Sequence, residues 1–408
     1  MLTALSAHVH GSNRLTARWC AAAGTDDFAV SGCAVWPLLA VLAAAANEPA
    51  RSELAGAVGI PAADAHAAAL RMLRDLDSTE TVSSAVGAWF RGDLPLHQDW
   101  LHSLPAGTAG PLPDQAALDT WAKERTHGAI DTFPLRIEPT TVMLLATTLL
   151  AETTWQQPFR PDGMLVTDGP WRGHNGPALR RTSTDTSVVG VLAGTNPVTR
   201  VIVNGTRDMD VHLLLSKGSP GDALAAGIAA LEGSIRILSN PQPDQGPGLA
   251  VFERRSWSPG DMLDIWLPPF EIHATHDLID HTGVFGLRTA TNWDRGHFPG
   301  ISPEPIHLSR AAQDVRVRFD ARGFEAAAVS ALEGALATGQ PEVPPHRSRV
   351  TAAIFDRPFG FLAVHRPTGL VVVAGWVAQP PTTRKYLVSR FLRALYTHYV
   401  NRAEHEDS

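Results

Sequence analysis

Residues 321–380 read ARGFEAAAVSALEGALATGQPEVPPHRSRVTAAIFDRPFGFLAVHRPTGLVVVAGWVAQP. The stretch opens on small residues, is then broken by glycine and proline, and ends in strongly β-forming runs. Taken alone, residues 325–336 make an alanine-rich helix, because alanine loses least on entering one. Downstream, VTAAIF (350–355), FGFLAVHR (359–366) and LVVVAGWVA (370–378) read as strands, the last two joined at Pro367-Thr368-Gly369 as a hairpin. One reading is a plain helix and linker before the final strands. The other is a segment built to change its secondary structure.

Working outward, the chain has 408 residues, 44% of them hydrophobic and 18% charged, with a net charge of −7. These are globular values, and the length suits one large domain or two ordinary ones. With an acidic balance and no basic stripe, nucleic acid is not an expected partner. Arginine supplies almost all positive charge; beside so much alanine, glycine and proline, this reflects genome composition. Cys20 and Cys33 are too few for a disulfide framework and read as two buried thiols, with a single bridge as the alternative. The start, MLTALSAHVHGSNRLTARW, lacks the basic-then-apolar pattern of a signal peptide. The apolar run 35–46 is too short to span a bilayer. A cytoplasmic protein without membrane contact is expected.

Helices are expected over 12–23 (capped by Ser12 or Asn13), in the apolar run 35–46, from Pro49 to a stop at Gly59, up to Gly128 in LDTWAKERTHGAI, and over 222–233. Strands are expected at 28–31, 82–91, 140–155, 199–203, 209–215, 248–257 and 262–270. THDLIDHTGVFGL carries an Asp-capped short helix, and VRVRFDARG alternates as a strand with one solvated face. Helices crowd the first third and strands follow without regular alternation, which is α+β rather than doubly wound.

Several of these segments, in order, resemble the serpin family. DFAVSGCAVWPLLAVLAAAANEPARSELAGAVGI resembles its strand 6B with helices B and C. WAKERTHGAI followed by TTVMLLATTLLAETTWQQPF resembles helix F and central strand 3A, ending in Trp155, Pro158 and Phe159, with Trp155 at the breach where the sheet first opens. LPPFEIHATHDLIDHTGVFGL, IHLSRAAQDVRVRFDARGFEAAAVSA and the C-terminal strands are similar to later parts of the family pattern, so the likeness runs from Asp27 to Pro380. It implies a serpin fold: helices packed around a large mixed central sheet with smaller sheets, spanning 1–380, and an exposed reactive loop at 323–355. In inhibitory members that loop, once cut, inserts as a new strand. The hinge would be Gly323, Phe324, Glu325, Ala326, Ala327 and Ala328, with the alanines small enough to slide between packed strands and Glu325 pointing to solvent.

The sequence also departs from the family pattern. Phe324 stands where a small hydroxyl residue is usual, and overpacking by a ring costs about 1–3 kcal/mol. In the buried shutter, Ser31 keeps one hydroxyl, while Ala34, Thr147 and Gln313 replace a serine, an asparagine and a histidine. Either Gln313 and Thr147 rebuild the polar cluster or the sheet no longer opens. Ala321 replaces a glutamate. The loop is long: counting from the hinge puts the scissile bond at Ala337–Thr338, and counting back from Phe355 puts it at Arg347–Ser348. Residues 381–408 add an amphipathic helix, which either folds onto its own domain or serves a protein partner or self-association through 384–400.

Grouped histidines (His8 and His10; His273, His276 and His281) invite a metal, but a strand-to-helix corner suits surface histidines better. There is no nucleophile elbow, phosphate loop, dinucleotide fingerprint or zinc-protease motif. No catalytic residue, metal or cofactor is expected. The leading expectation is a suicide-substrate inhibitor of a serine protease, trypsin-like if Arg347–Ser348 is the bait. The alternative is a non-inhibitory serpin scaffold recruited for small-molecule binding or biosynthetic catalysis.

Overall fold

The computed structural model describes residues 5–125, 128, 132–133, 135–257, 259–324 and 344–381. Glu325, Ala326, Ala327, Ala328, the Ala337–Thr338 bond and the helix expected over 384–400 lie outside the described residues.

The chain opens with α1 (Ala7–Ala22), β1 (Phe28–Val30) and the buried helix α2 (Gly32–Ala45), followed by α3 (Ala50–Val58) and α4 (Ala62–Asp77). Then come β2 (Val82–Phe90), α5 (Gln98–His102), β3 (Ala109–Pro111), α6 (Gln115–Arg125), β4 (Met143–Ala151) and β5 (Thr153–Thr154). A β-rich middle holds β6 (Arg160–Leu165), β7 (Asn175–Ser183), β8 (Val189–Leu192), β9 (Val198–Asn204) and β10 (Met209–Leu215). After α7 (Pro220–Leu231) lie β11 (Ile237–Ser239), β12 (Leu249–Ser256), β13 (Met262–Leu267), β14 (Phe270–Asp277) and the single-turn α8 (Thr282–Phe285). The chain closes on β15 (Arg310–Phe319), β16 (Gly323–Phe324), β17 (His346–Ile354), β18 (Phe359–His365) and β19 (Leu370–Val377).

These strands form three sheets among the described residues. The central one runs β3-β2-β4-β15-β16-β5, with β14 on the other side of β15. A second runs β1-β19-β18-β10-β9-β8-β11 and a third β12-β17-β13-β7-β6. All nine residues of β4 are buried, as their unbroken apolar and threonine run requires of a strand covered on both faces. The α+β arrangement expected from the sequence is the one observed.

Two boundaries differ from expectation for physical reasons. The first helix starts at Ala7, with Ser6 at its N-cap position, so Ser12 and Asn13 lie inside it and are fully buried. Asn13 is a tie rather than a cap: its Nδ2 donates to the Gly369 carbonyl and its Oδ1 accepts from Val371 N–H, both at 2.9 Å. The second helix starts at Gly32, three residues before the apolar run. The Asp277 cap holds, its carboxylate accepting from Ile279 N–H at 3.0 Å.

Candidate functional site

The central sheet is closed at its middle and parted at one end. β4 and β15 run parallel in direct register from Leu144↔Arg310 to Leu149↔Val315. Beyond that, β16 enters between them. Gly323 and Phe324 pair antiparallel with Thr154 and Thr153 of β5, and Phe324 also pairs with Phe319 of β15. Gly323 and Phe324 therefore sit as a short strand between β15 and β5.

Local chemistry makes that turn. The Asp320 carboxylate accepts from Arg322 N–H (2.8 Å) and Gly323 N–H (3.1 Å), folding the chain back on itself. Trp155 clamps it from outside: its backbone N–H donates to the Arg322 carbonyl at 2.8 Å and its indole Nε1 to the Asp320 carbonyl at 2.9 Å. Phe159 N–H donates to the Ala321 carbonyl at 2.8 Å, so the usual glutamate position here acts through its backbone. Glycine is required at 323, since a Cβ there would run into the Thr153 carbonyl.

The overpacking expected of Phe324 is not what the structure holds. Its ring is fully buried, with its centroid 6.1 Å from that of Phe361. It is part of the main hydrophobic core.

Below, the shutter residues Ser31, Ala34, Thr147 and Gln313 are all fully buried. Gln313 bonds to the backbone of Ser31 as a strand would: Oε1 accepts from Ser31 N–H and Nε2 donates to Ser31 C=O, both at 2.8 Å. Nε2 also donates to Thr147 Oγ1 at 3.2 Å, across the seam between β15 and β4. Ser31 Oγ donates to the Val372 carbonyl at 2.7 Å. Ala34 brings no polar atom to this cluster. Cys33, which the sequence reading left out of the cluster, lies 3.3 Å from Ser31 Oγ, and burial pushes its thiol up to about 12. It is a neutral filler rather than a nucleophile. Both cysteines are free and buried.

At the far end of the loop stand Arg347 and Ser348, whose bond is one of the two read from the sequence as bait. Both residues lie inside β17, where Arg347 pairs with Arg255 and Ser348 with Arg254 of β12. Ser348 is buried, and from Val350 onward β13 pairs on the other side. A protease binds its substrate as an extended strand along a free edge, and here the edge facing β12 is already paired.

The grouped histidines do not converge. His273 Nε2 meets Asp314 Oδ1 at 2.8 Å, while His276 Nε2 donates to the Ala29 carbonyl at 2.7 Å. Burial lowers the His276 pKa. No group of three metal-ligating side chains occurs among the described residues. No helix among them is long and apolar enough to cross a membrane.

The β4–β15 seam is closed below, and above it Gly323–Phe324 sit as a short strand between β15 and β5. The family model for Serpin (serine protease inhibitor) matches residues 11–167 and 252–380, and the chain belongs to this family. Among curated relatives, it is similar to Serine proteinase inhibitor 1 of Myxoma virus (strain Lausanne), 27% identical over 29% of this chain and 30% of that one. It is 23% identical to Plasminogen activator inhibitor 1 of Neovison vison over 64% of this chain and 61% of that one. The chain thus spans less than two thirds of the length of these two relatives. In structure it is similar to thyroxine-binding globulin in complex with thyroxine, with a TM-score of 0.69 at 16% identity, covering 92% of this chain and 99% of that one. The thermophilic serpin Tengpin in its native state gives 0.68 at 16% identity, over 91% and 94%.

Proposed function

We propose that this chain is a suicide-substrate inhibitor of a serine protease. The observation that carries the reading is Gly323–Phe324, seated as the start of a strand between β15 and β5. The sequence continues Glu325-Ala326-Ala327-Ala328-Val329-Ser330, so that in an extended strand Ala326, Ala328 and Ser330 share the face of Phe324. Small residues there pass between packed strands, and Glu325 falls on the opposite face. About a dozen inserted residues, each contributing on the order of 1 kcal/mol net, would release on the order of 10 kcal/mol. A serine protease joins its serine covalently to the carbonyl of the residue before the cut and expels the following amine. Insertion then drags the bound enzyme before water frees it.

The bait bond in this proposal is Ala337–Thr338. A small residue before the cut suits a protease with a shallow, elastase-type pocket, in place of the trypsin-like target that Arg347 suggested. Incubation with an elastase-type protease is expected to give a complex that survives denaturing electrophoresis and a new N-terminus at Thr338. Chain cut in the loop is expected to melt higher by on the order of 10–20 °C. An unchanged melting temperature after a verified cut would overturn the reading. The second reading, a serpin scaffold used for small-molecule binding or catalysis, is favoured by an arginine-lined cavity beside the hinge.

A further inference from the structure

That cavity, about 510 Å³, lies between the start of β6 and the end of β7. Arg160, Arg180 and Arg181 line it, against one carboxylate, Asp162. Arg181 is only 6% exposed. Its Nη1 donates to the Gln157 carbonyl at 3.2 Å and its guanidinium sits 4.6 Å above the Phe159 ring. Its Nε has no hydrogen-bond partner. No carboxylate lies within ion-pair distance of Arg181 or Arg160 among the described residues. Burial lowers the Arg181 pKa to about 10, which leaves it charged at neutral pH. A charge so far from water needs a counter-charge.

The neighbouring carboxylates supply only part of it: Asp185 raises the Arg181 pKa but less than burial lowers it, is not within ion-pair distance, and accepts from Ser187 N–H and Oγ. Asp264 is divided between Arg180 (3.0 Å), Arg254 (2.9 Å) and Thr182 (2.5 Å). Arg180 also stacks on Trp266, 4.4 Å from its centroid, and leaves its Nε without a partner. Asp162 accepts from Gly163 N–H (2.8 Å) and Trp266 Nε1 (3.4 Å). Arg160 stands exposed at the cavity's edge.

We propose that this cavity is an oxyanion site: a small ligand bearing a phosphate or carboxylate is held there by Arg160, Arg180 and Arg181. Guanidinium groups present paired N–H donors that match both anions, and partial burial strengthens each bond. The assignment is independent of protease inhibition, because none of these side chains belongs to the loop or the shutter.

The test uses the full chain. Inorganic phosphate and citrate are titrated separately at constant ionic strength, set with sodium chloride, and binding is read by calorimetry. One saturable site is expected for at least one of them, and the tighter anion tells phosphate from carboxylate recognition. Arg160→Ala, at an exposed position, is expected to weaken binding at least tenfold without changing the melting of the unliganded chain. Arg181→Met is expected to remove binding; if that variant does not fold, Arg160→Ala decides alone. Affinity that is the same in wild type and Arg160→Ala, or no saturable binding of either anion, overturns the assignment.

Discussion

The two ends of the loop between residues 324 and 344 are anchored in opposite ways. On the N-terminal side, two residues of β16 sit between β15 and β5, held by one short register on each flank. On the C-terminal side, β17 pairs with all of β12 from Ser256↔His346 to Leu249↔Ala353, and with β13 from Met262↔Val350 to Trp266↔Ile354. One limb is a strand begun; the other is a strand finished. Under the proposed inhibitory reading, the limb begun at β16 would extend and the limb finished at β17 would stay. Residues 346–348 are part of that paired strand.

The largest expected effect tests the begun strand. Phe324→Ala should lower the stability of the intact chain by about 3–5 kcal/mol, the usual cost of emptying a fully buried phenyl site. Denaturant unfolding measures it, and a change below about 1 kcal/mol would mean that the ring does not anchor the hinge. The finished strand is tested next. Adjacent prolines at Val251 and Phe252 must strike at least one ladder N–H of β12 and should cost about 3 kcal/mol. Trypsin, which wild-type chain should resist at Arg347, should then cut there; protection that persists would show that β12 does not shield the bond. The smallest effect concerns the seam between the limbs. Gln313→Leu removes the bonds to Ser31 and Thr147 and should cost about 2 kcal/mol. Insertion after loop cutting, followed by stopped-flow fluorescence, should become faster, and an unaltered rate would remove Gln313 from control of sheet opening.

Much of this architecture was legible in sequence because buried strands such as β4 and β19 are continuous apolar runs. α4 was not, since its buried face is Ala65, Ala68, Ala69, Met72 and Leu76, and alanine contrasts weakly with its neighbours. β6, RPDGML, hides behind its proline and glycine. β12 was legible as a strand, but its partner was not, because pairing is decided by the tertiary fold. The same limit applies at the site. Phe324 reads as too large because sequence gives its volume and not the core in which the ring is buried. Arg347 reads as bait because counting residues cannot see that the strand begins before it. Gln313 and Thr147 were legible as candidates for a rebuilt cluster; the use of the Ser31 backbone as their partner was not, because backbone groups carry no sequence signal. The charge imbalance at Arg181 needs burial and distances to be seen at all.

β12 has a further consequence, which concerns solubility. It lies at the edge of its sheet. Without it, the edge would be β17, whose Val350-Thr351-Ala352-Ala353-Ile354 is uncharged, smooth and β-forming, a template for pairing with another molecule. β12 covers that run and presents its own edge instead, with Glu253, Arg254 and Arg255 in succession. Charged edges resist a further strand. A sheet edged in this way offers little to the edges of its copies.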